Sequence, residues 1–164
     1  TAGAGGHAGS TSPFVLVPYL RENLRVPIIA AGCIATGKQM AASLALGAEL
    51  VYMGTRFIAS TECSAGDDYK ARVINGSPED IVYTDAVSGV HANFIRDTVP
   101  GLAPASKEEA QQAVQSGQAK KWKEIWSAGQ GIALAKAVKP IGEIVEDVVR
   151  EYADAVKRLP GLEA

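Results

Sequence analysis

Cysteine, histidine, long apolar runs and charge of one sign are all scarce in this sequence, and each scarcity removes a class of protein. Two cysteines occur in 164 residues, Cys33 and Cys63, with no CxxC pair and no histidine at metal-ligand spacing. That speaks against a disulfide scaffold or a structural zinc site and leaves two reduced thiols as the default. No apolar stretch approaches the roughly 18 residues of a membrane span, and the N-terminus lacks the charged-then-apolar layout of a signal peptide. The expectation is a cytoplasmic protein without a membrane segment. The 16 basic and 18 acidic side chains give a formal net charge of −2, and residues 1–66 carry four basic and three acidic groups. Neither part of the chain has the basic excess that a nucleic-acid backbone demands.

What is present is an ordinary globular composition, 47% hydrophobic with 17 Gly and 8 Pro, enough for one sizeable core. The first nine residues hold four glycines, Gly3, Gly5, Gly6 and Gly9, around His7, with no start methionine. A Gly-rich run of this kind normally follows a strand, so the chain reads as the C-terminal part of a longer protein.

Beyond it, strand and helix alternate. Ser12-Pro13 is a cap followed by a helix-starting proline, and Phe14, Val17 and Leu20 give a helical apolar face up to about Arg25. Pro27-Ile28-Ile29-Ala30-Ala31 has the continuous apolar character of a buried parallel strand. Thr36 to Leu46 reads as a helix that Gly47 ends in a left-handed cap, and Glu49 to Met53 as the next strand. This rhythm predicts βα units and a parallel sheet over residues 1–66.

Residues 67–164 read as a mostly helical extension. Asp67–Asn75 is a helix, Ile81–Thr84 an isolated strand, and Pro100–Pro104 a linker. Ser106-Lys107-Glu108-Glu109 is a capping box that opens a helix to about Ser116. Trp122, Ile125 and Trp126 form an amphipathic turn in which the two tryptophans read as a core contact. The loop Ser127–Gly131 interrupts it before Ile132–Val138, and last comes a helix from Ile141 to about Leu159, with Ile141, Ile144, Val145, Val148, Val149, Tyr152 and Val156 at three-and-four spacing on its buried face.

Three glycine-marked loops follow strands or a presumed strand: Gly5-Gly6-His7, Gly32-Cys33 and Gly54-Thr55. In a parallel α/β sheet or barrel such loops converge on the ligand face. The last two lie 22 positions apart, one βα unit. That spacing suits a phosphate site built from backbone N–H groups, the Thr55 hydroxyl and a helix start, with Arg56 adding fixed charge. Ordinary tight βα turns explain the same glycines. His7, flanked by glycine, places an imidazole at this face as a candidate base, or is a solvent-exposed loop residue. Cys33 and Cys63 read as small buried hydrophobes, His91 takes no role, and Gln130 is either a ligand contact or plain loop polarity.

At these residues a resemblance emerges. Ala4-Gly5-Gly6-His7, Pro27 to Gly32, Ala41 to Ala48, Met53-Gly54-Thr55-Arg56-Phe57 and Trp126 to Gly131 closely resemble the nitronate monooxygenase family, also called 2-nitropropane dioxygenases, in the same order along essentially the whole chain. The resemblance implies the C-terminal part of an FMN-binding TIM (β/α)8 barrel with an appended, mostly helical region. This chain would supply the end of strand six, strands seven and eight, and the appendage. Family FMN contacts carry over onto Gly5 and Gly6 in the first loop, Gly32 and Cys33 after strand seven, and Tyr52, Met53, Gly54 and Thr55 after strand eight. The catalytic base carries over onto His7. Three positions depart from the family pattern: Cys33 replaces a usual glycine, Tyr52 a frequent glutamine, and Gly3 a frequent acidic residue. The implied reaction is oxidation of an alkyl nitronate or nitroalkane by O2 to a carbonyl compound and nitrite, with the N-terminal half of the barrel, or a second copy, as partner. An NAD(P)H-dependent quinone or enoyl reductase on the same FMN scaffold, and a non-catalytic fragment, stand as alternatives.

Overall fold

The computed structural model describes residues 1–102 and 124–158. Helix α1 (Pro13–Asn23) starts where the sequence places it: Ser12 Oγ accepts from Phe14 N at 3.3 Å and Pro13 takes the first turn. It stops at Leu24, whose extended backbone still donates to Leu20 O. Strand β2 (Ile29–Ala31), helix α2 (Gly37–Ala45) and strand β3 (Leu50–Tyr52) form one βαβ unit. The strands are parallel, in register from Ile29↔Leu50 to Ala31↔Tyr52. Thr36 and Gln39 close a reciprocal capping box on α2, and Gly47, at φ +105°, turns the chain out of it.

The strand alternation splits the two faces of this small sheet. Ala30 and Val51 join Val17, Ile28, Ile34 and Ala48 in a core beneath α1 and α2, while Ile29, Leu50 and Tyr52 on the other face are exposed.

A second, antiparallel sheet runs in the order β1 (Gly6–His7), β5 (Ala92–Ile95), β4 (Ile81–Thr84). The register is Gly6↔Asn93 and His7↔Ala92 on one side of β5, and Ile81↔Ile95 through Thr84↔Ala92 on the other. The two ladder residues of the first loop pair antiparallel with β5. Ile81–Thr84 is not the isolated strand expected: it is half of a hairpin. All four residues of β5 are buried, so the segment shows no polar alternation and gives no period-two signal.

Helix α3 (Thr55–Ile58) and helix α4 (Asp67–Asn75) follow β3. Val73 of α4 packs with Ala59, Ile81, Ile95, Ala128, Ile132 and Ala135, tying α4 to the hairpin. Gln130–Leu134 is a 3-10 turn that begins inside the 127–131 loop. Helix α5 (Ile141–Arg158) lies where the sequence places it, with Ile144 and Val148 buried, but Ile141, Val145, Val149 and Val156, expected on the same buried face, are exposed. It crosses α2 at Gly37, where a Cβ would strike Val148 O and Tyr152 N, and Glu151 Oε2 accepts from Gly37 N at 2.9 Å. The Ser106–Ser116 helix, Trp122, Pro104 and Leu159 fall outside the described residues. Among those described, no helix is long and apolar enough to cross a membrane and no three acidic, histidine or cysteine side chains group as metal ligands.

Candidate active site

The loops after β2 and β3 meet the first loop and the 127–131 loop around a cleft of about 470 Å³, within the roughly 300–1,000 Å³ usual for small-molecule sites. Gly5, His7, Gly32, Cys33, Tyr52, Gly54 and Thr55 line it. Gly6 and Met53 stand outside its wall: Gly6, at φ +71°, is spent on the β1 turn, and Met53 packs into the core under α1.

The glycines do different jobs. A Cβ on Gly5 would lie 2.9 Å from Gly129 N, so Gly5 lets the first loop lie flat on the 127–131 loop. Gly32, at φ +98°, leaves room for Thr1 and Ala4. A Cβ on Gly54 would meet nothing within 4 Å, and its φ of −101° suits any residue. Gly54 is therefore the position where bare backbone faces open cleft. Beside it, Thr55 Oγ1 accepts from Gly129 N at 2.9 Å, which leaves the hydroxyl proton free to donate.

Arg56 does not serve the cleft. Its side chain is buried, with Nη1 donating to Ala137 O at 3.5 Å, and burial pulls its pKa down against the opposing pull of Asp147 and Glu151. The guanidinium is absorbed by the packing under α5, so any anion in the cleft would be held by backbone and hydroxyl donors. Cys33 is the one non-glycine with positive φ, +58°, among the described residues. Its Sγ lies 3.4 Å from Ala2 O and 3.8 Å from Gln130 Oε1, and burial raises the thiol pKa, the opposite of nucleophile activation. Gln130 thus turns its carboxamide to Cys33 while its backbone N–H donates to Gly3 O.

His7 is exposed at the cleft mouth with Nε2 3.2 Å from Ser88 Oγ. His91 stacks at a tilt on Tyr83, with ring centroids 4.9 Å apart. The residues missed by the sequence reading are Thr1, whose hydroxyl donates to Ala31 O, and the pair Tyr69 and Ser127. Tyr69 lines the cleft and donates to Ser127 O. Its ring stacks on Trp126 at 5.0 Å, and the Arg72 guanidinium sits 5.1 Å from the Trp126 ring while pairing with Asp97 at 2.9 Å. Tyr69 falls on the apolar side of an amphipathic helix, where sequence alone cannot separate a cleft wall from a core contact.

Comparison with known proteins places this geometry. The sequence profile of the nitronate monooxygenase family matches residues 2–151. A nitronate monooxygenase of Paraburkholderia phytofirmans is 33% identical over 95% of this chain and 48% of its own length. A probable nitronate monooxygenase of Staphylococcus saprophyticus is 31% identical over 94% of this chain and 50% of its own. Among solved structures, FabK from Thermotoga maritima superposes with a TM-score of 0.79 at 35% identity, covering 95% of this chain and 53% of FabK. Nitroalkane oxidase from Streptomyces ansochromogenes superposes at 0.71 and 28%, covering 96% and 51%. The chain spans about half the length of the curated relatives it matches. With a match over residues 2–151 and these relatives in hand, the chain belongs to the nitronate monooxygenase family.

Proposed function

We propose that the protein holds FMN in the glycine-lined cleft of a TIM barrel and oxidises alkyl nitronates, with O2 as acceptor, to a carbonyl compound and nitrite. The observation that carries this is Gly54: bare backbone in unstrained geometry, facing open space beside a threonine hydroxyl with a proton to give. A flavin phosphate needs such a cradle, since close approach to backbone donors excludes a Cβ. Gly32 and the Cys33 backbone complete the grip, and Gly5 holds the 127–131 loop against it.

When bound, FMN supplies the electron acceptor for the nitronate and the route to O2. The chain's own residues do the rest. His7 takes the proton from a neutral nitroalkane, or donates a hydrogen bond to a substrate that arrives already ionised. Tyr69 fixes Ser127, and with it the far wall of the cleft. The neutral, raised-pKa Cys33 thiol takes no covalent part.

The test is the absorbance spectrum of the purified complete protein, followed by anaerobic mixing. Flavin bands that bleach with nitronate and not with NADPH support the reading. Rapid bleaching with NADPH would replace it with the quinone or enoyl reductase alternative, and absence of flavin would overturn the cofactor.

A further inference from the structure

The contact between His7 and Ser88 fixes more than a distance. Ser88 lies in the 85–91 loop joining β4 to β5, with Oγ 3.1 Å from Val90 O and 3.2 Å from His7 Nε2. A carbonyl oxygen only accepts, so the single hydroxyl proton of Ser88 goes to Val90 O. The bond to a neutral His7 ring must then run the other way, with Nε2–H donating into a lone pair of Ser88 Oγ. We propose that Ser88 is a positioning residue that holds His7 as the Nε2–H tautomer and leaves Nδ1 as the lone-pair acceptor. This rests on the reading of His7 as base. In that step the substrate C–H bond breaks, its electron pair stays with the carbon and nitro group as nitronate, and the proton bonds to Nδ1 to give an imidazolium.

The loop is built to hold one position. Val87 is buried with Phe94, Val99 and Ile125, while Gly89, at φ +76°, closes a turn through its N–H to Asp85 O at 2.7 Å. Ala86 N donates to Thr84 Oγ1 at 3.1 Å. The chain just after His7 is stapled to the same hairpin: Ala8 N donates to His91 O at 3.3 Å, and Ala8 O accepts from Tyr83 Oη at 2.8 Å. Both ends of the His7–Ser88 bond therefore sit on one rigid support, the condition for a side chain to set another's tautomer.

Nitrogen-15 NMR of histidine-labelled complete protein, with His7 assigned by its loss in His7→Asn, reads the tautomer without any turnover. A pyrrole-like Nε2 and pyridine-like Nδ1 are expected, averaging toward the free-imidazole mixture in Ser88→Ala and returning in Ser88→Thr. An identical pattern in wild type and Ser88→Ala, or a protonated Nδ1 in the neutral wild-type ring, would overturn the proposal. In the flavin-loaded enzyme, Ser88→Ala should slow neutral nitroalkane by about 10- to 100-fold, the range for losing a partner that orients a working histidine, and spare the preformed nitronate. Equal slowing of both substrates, or no recovery in Ser88→Thr, would also overturn it. If instead the tautomer follows Ser88 while His7→Asn leaves nitroalkane turnover intact, the base reading fails and the Ser88–His7 arrangement stands.

Discussion

The parallel unit β2–α2–β3 and the antiparallel sheet β1–β5–β4 meet at one cleft but contribute different things to it. The parallel unit ends in backbone: Gly32, Gly54 and the start of α3, with the adjoining Arg56 buried away from the cleft. The antiparallel sheet and the elements packed on it contribute side chains, namely His7 backed by Ser88, and Tyr69 holding Ser127. Under the proposed function, binding and chemistry fall to separate pieces of secondary structure. Lesions in the first should cost cofactor, and lesions in the second should cost rate.

The sharpest way to break that division is Gly54→Val. Its Cβ meets nothing in the protein, so the fold should survive while FMN is excluded. Flavin-to-protein stoichiometry near zero, with an unchanged far-ultraviolet spectrum, is expected; wild-type stoichiometry would refute the division. Next is His7→Asn, which should keep flavin yet slow a neutral nitroalkane by ~10²–10⁴-fold, with preformed nitronate much less affected. The check is kcat/KM on both substrate forms, and equal losses would make His7 a binding residue.

A smaller effect is expected at Cys33. Replacement by glycine releases about 1–2 kcal/mol of left-handed strain, against about 0.4–1 kcal/mol of added freedom in the unfolded chain. The net is a modest rise in Tm with turnover largely kept, and a fall in Tm would show that the Sγ contacts to Ala2 and Gln130 outweigh the strain. The smallest effect sits outside both pieces, at Asp147. Hydrogen bonds from Lys139 and Arg150 hold its carboxyl below the ordinary carboxylate range. A depressed folded pKa gives stability that is present above the ordinary range and lost as pH falls through the lowered value. Asp147→Asn should therefore lower Tm slightly near neutrality and flatten part of the acid-side decline, as followed by thermal melts from pH 7 to 3.

The two pieces also differ in how readable they were. The parallel unit declared itself through local signals: the Ser12-Pro13 start, the Thr36–Gln39 box and Gly47 at φ +105°. Each works within a few residues, so the sequence displays it. The antiparallel sheet is assembled from distant pieces, a two-residue strand at the N-terminus and a fully buried four-residue strand at 92–95, and neither carries a periodic pattern. The cleft followed the same rule. Gly32, Gly54 and His7 were marked by neighbouring glycines. Ser88 and Tyr69 are brought in by tertiary contacts spanning 81 and 58 residues, and nothing in their local sequence announces them. Arg56 was misread for the converse reason: its neighbours in sequence face the cleft, but its own partners come from α5 and the segment before it.

The crossing of α5 over Gly37 carries a consequence for the order in which the protein is made. The N–H of Gly37 finds its acceptor on Glu151, 114 residues later in the chain. During synthesis at about 5–20 residues per second, the βαβ unit therefore leaves the ribosome for several seconds without the helix that covers α2. Contacts of such long sequence separation form late and slow folding. Over that interval the nascent chain presents an uncovered helix face, a target for a chaperone or a protease, until α5 emerges and closes it.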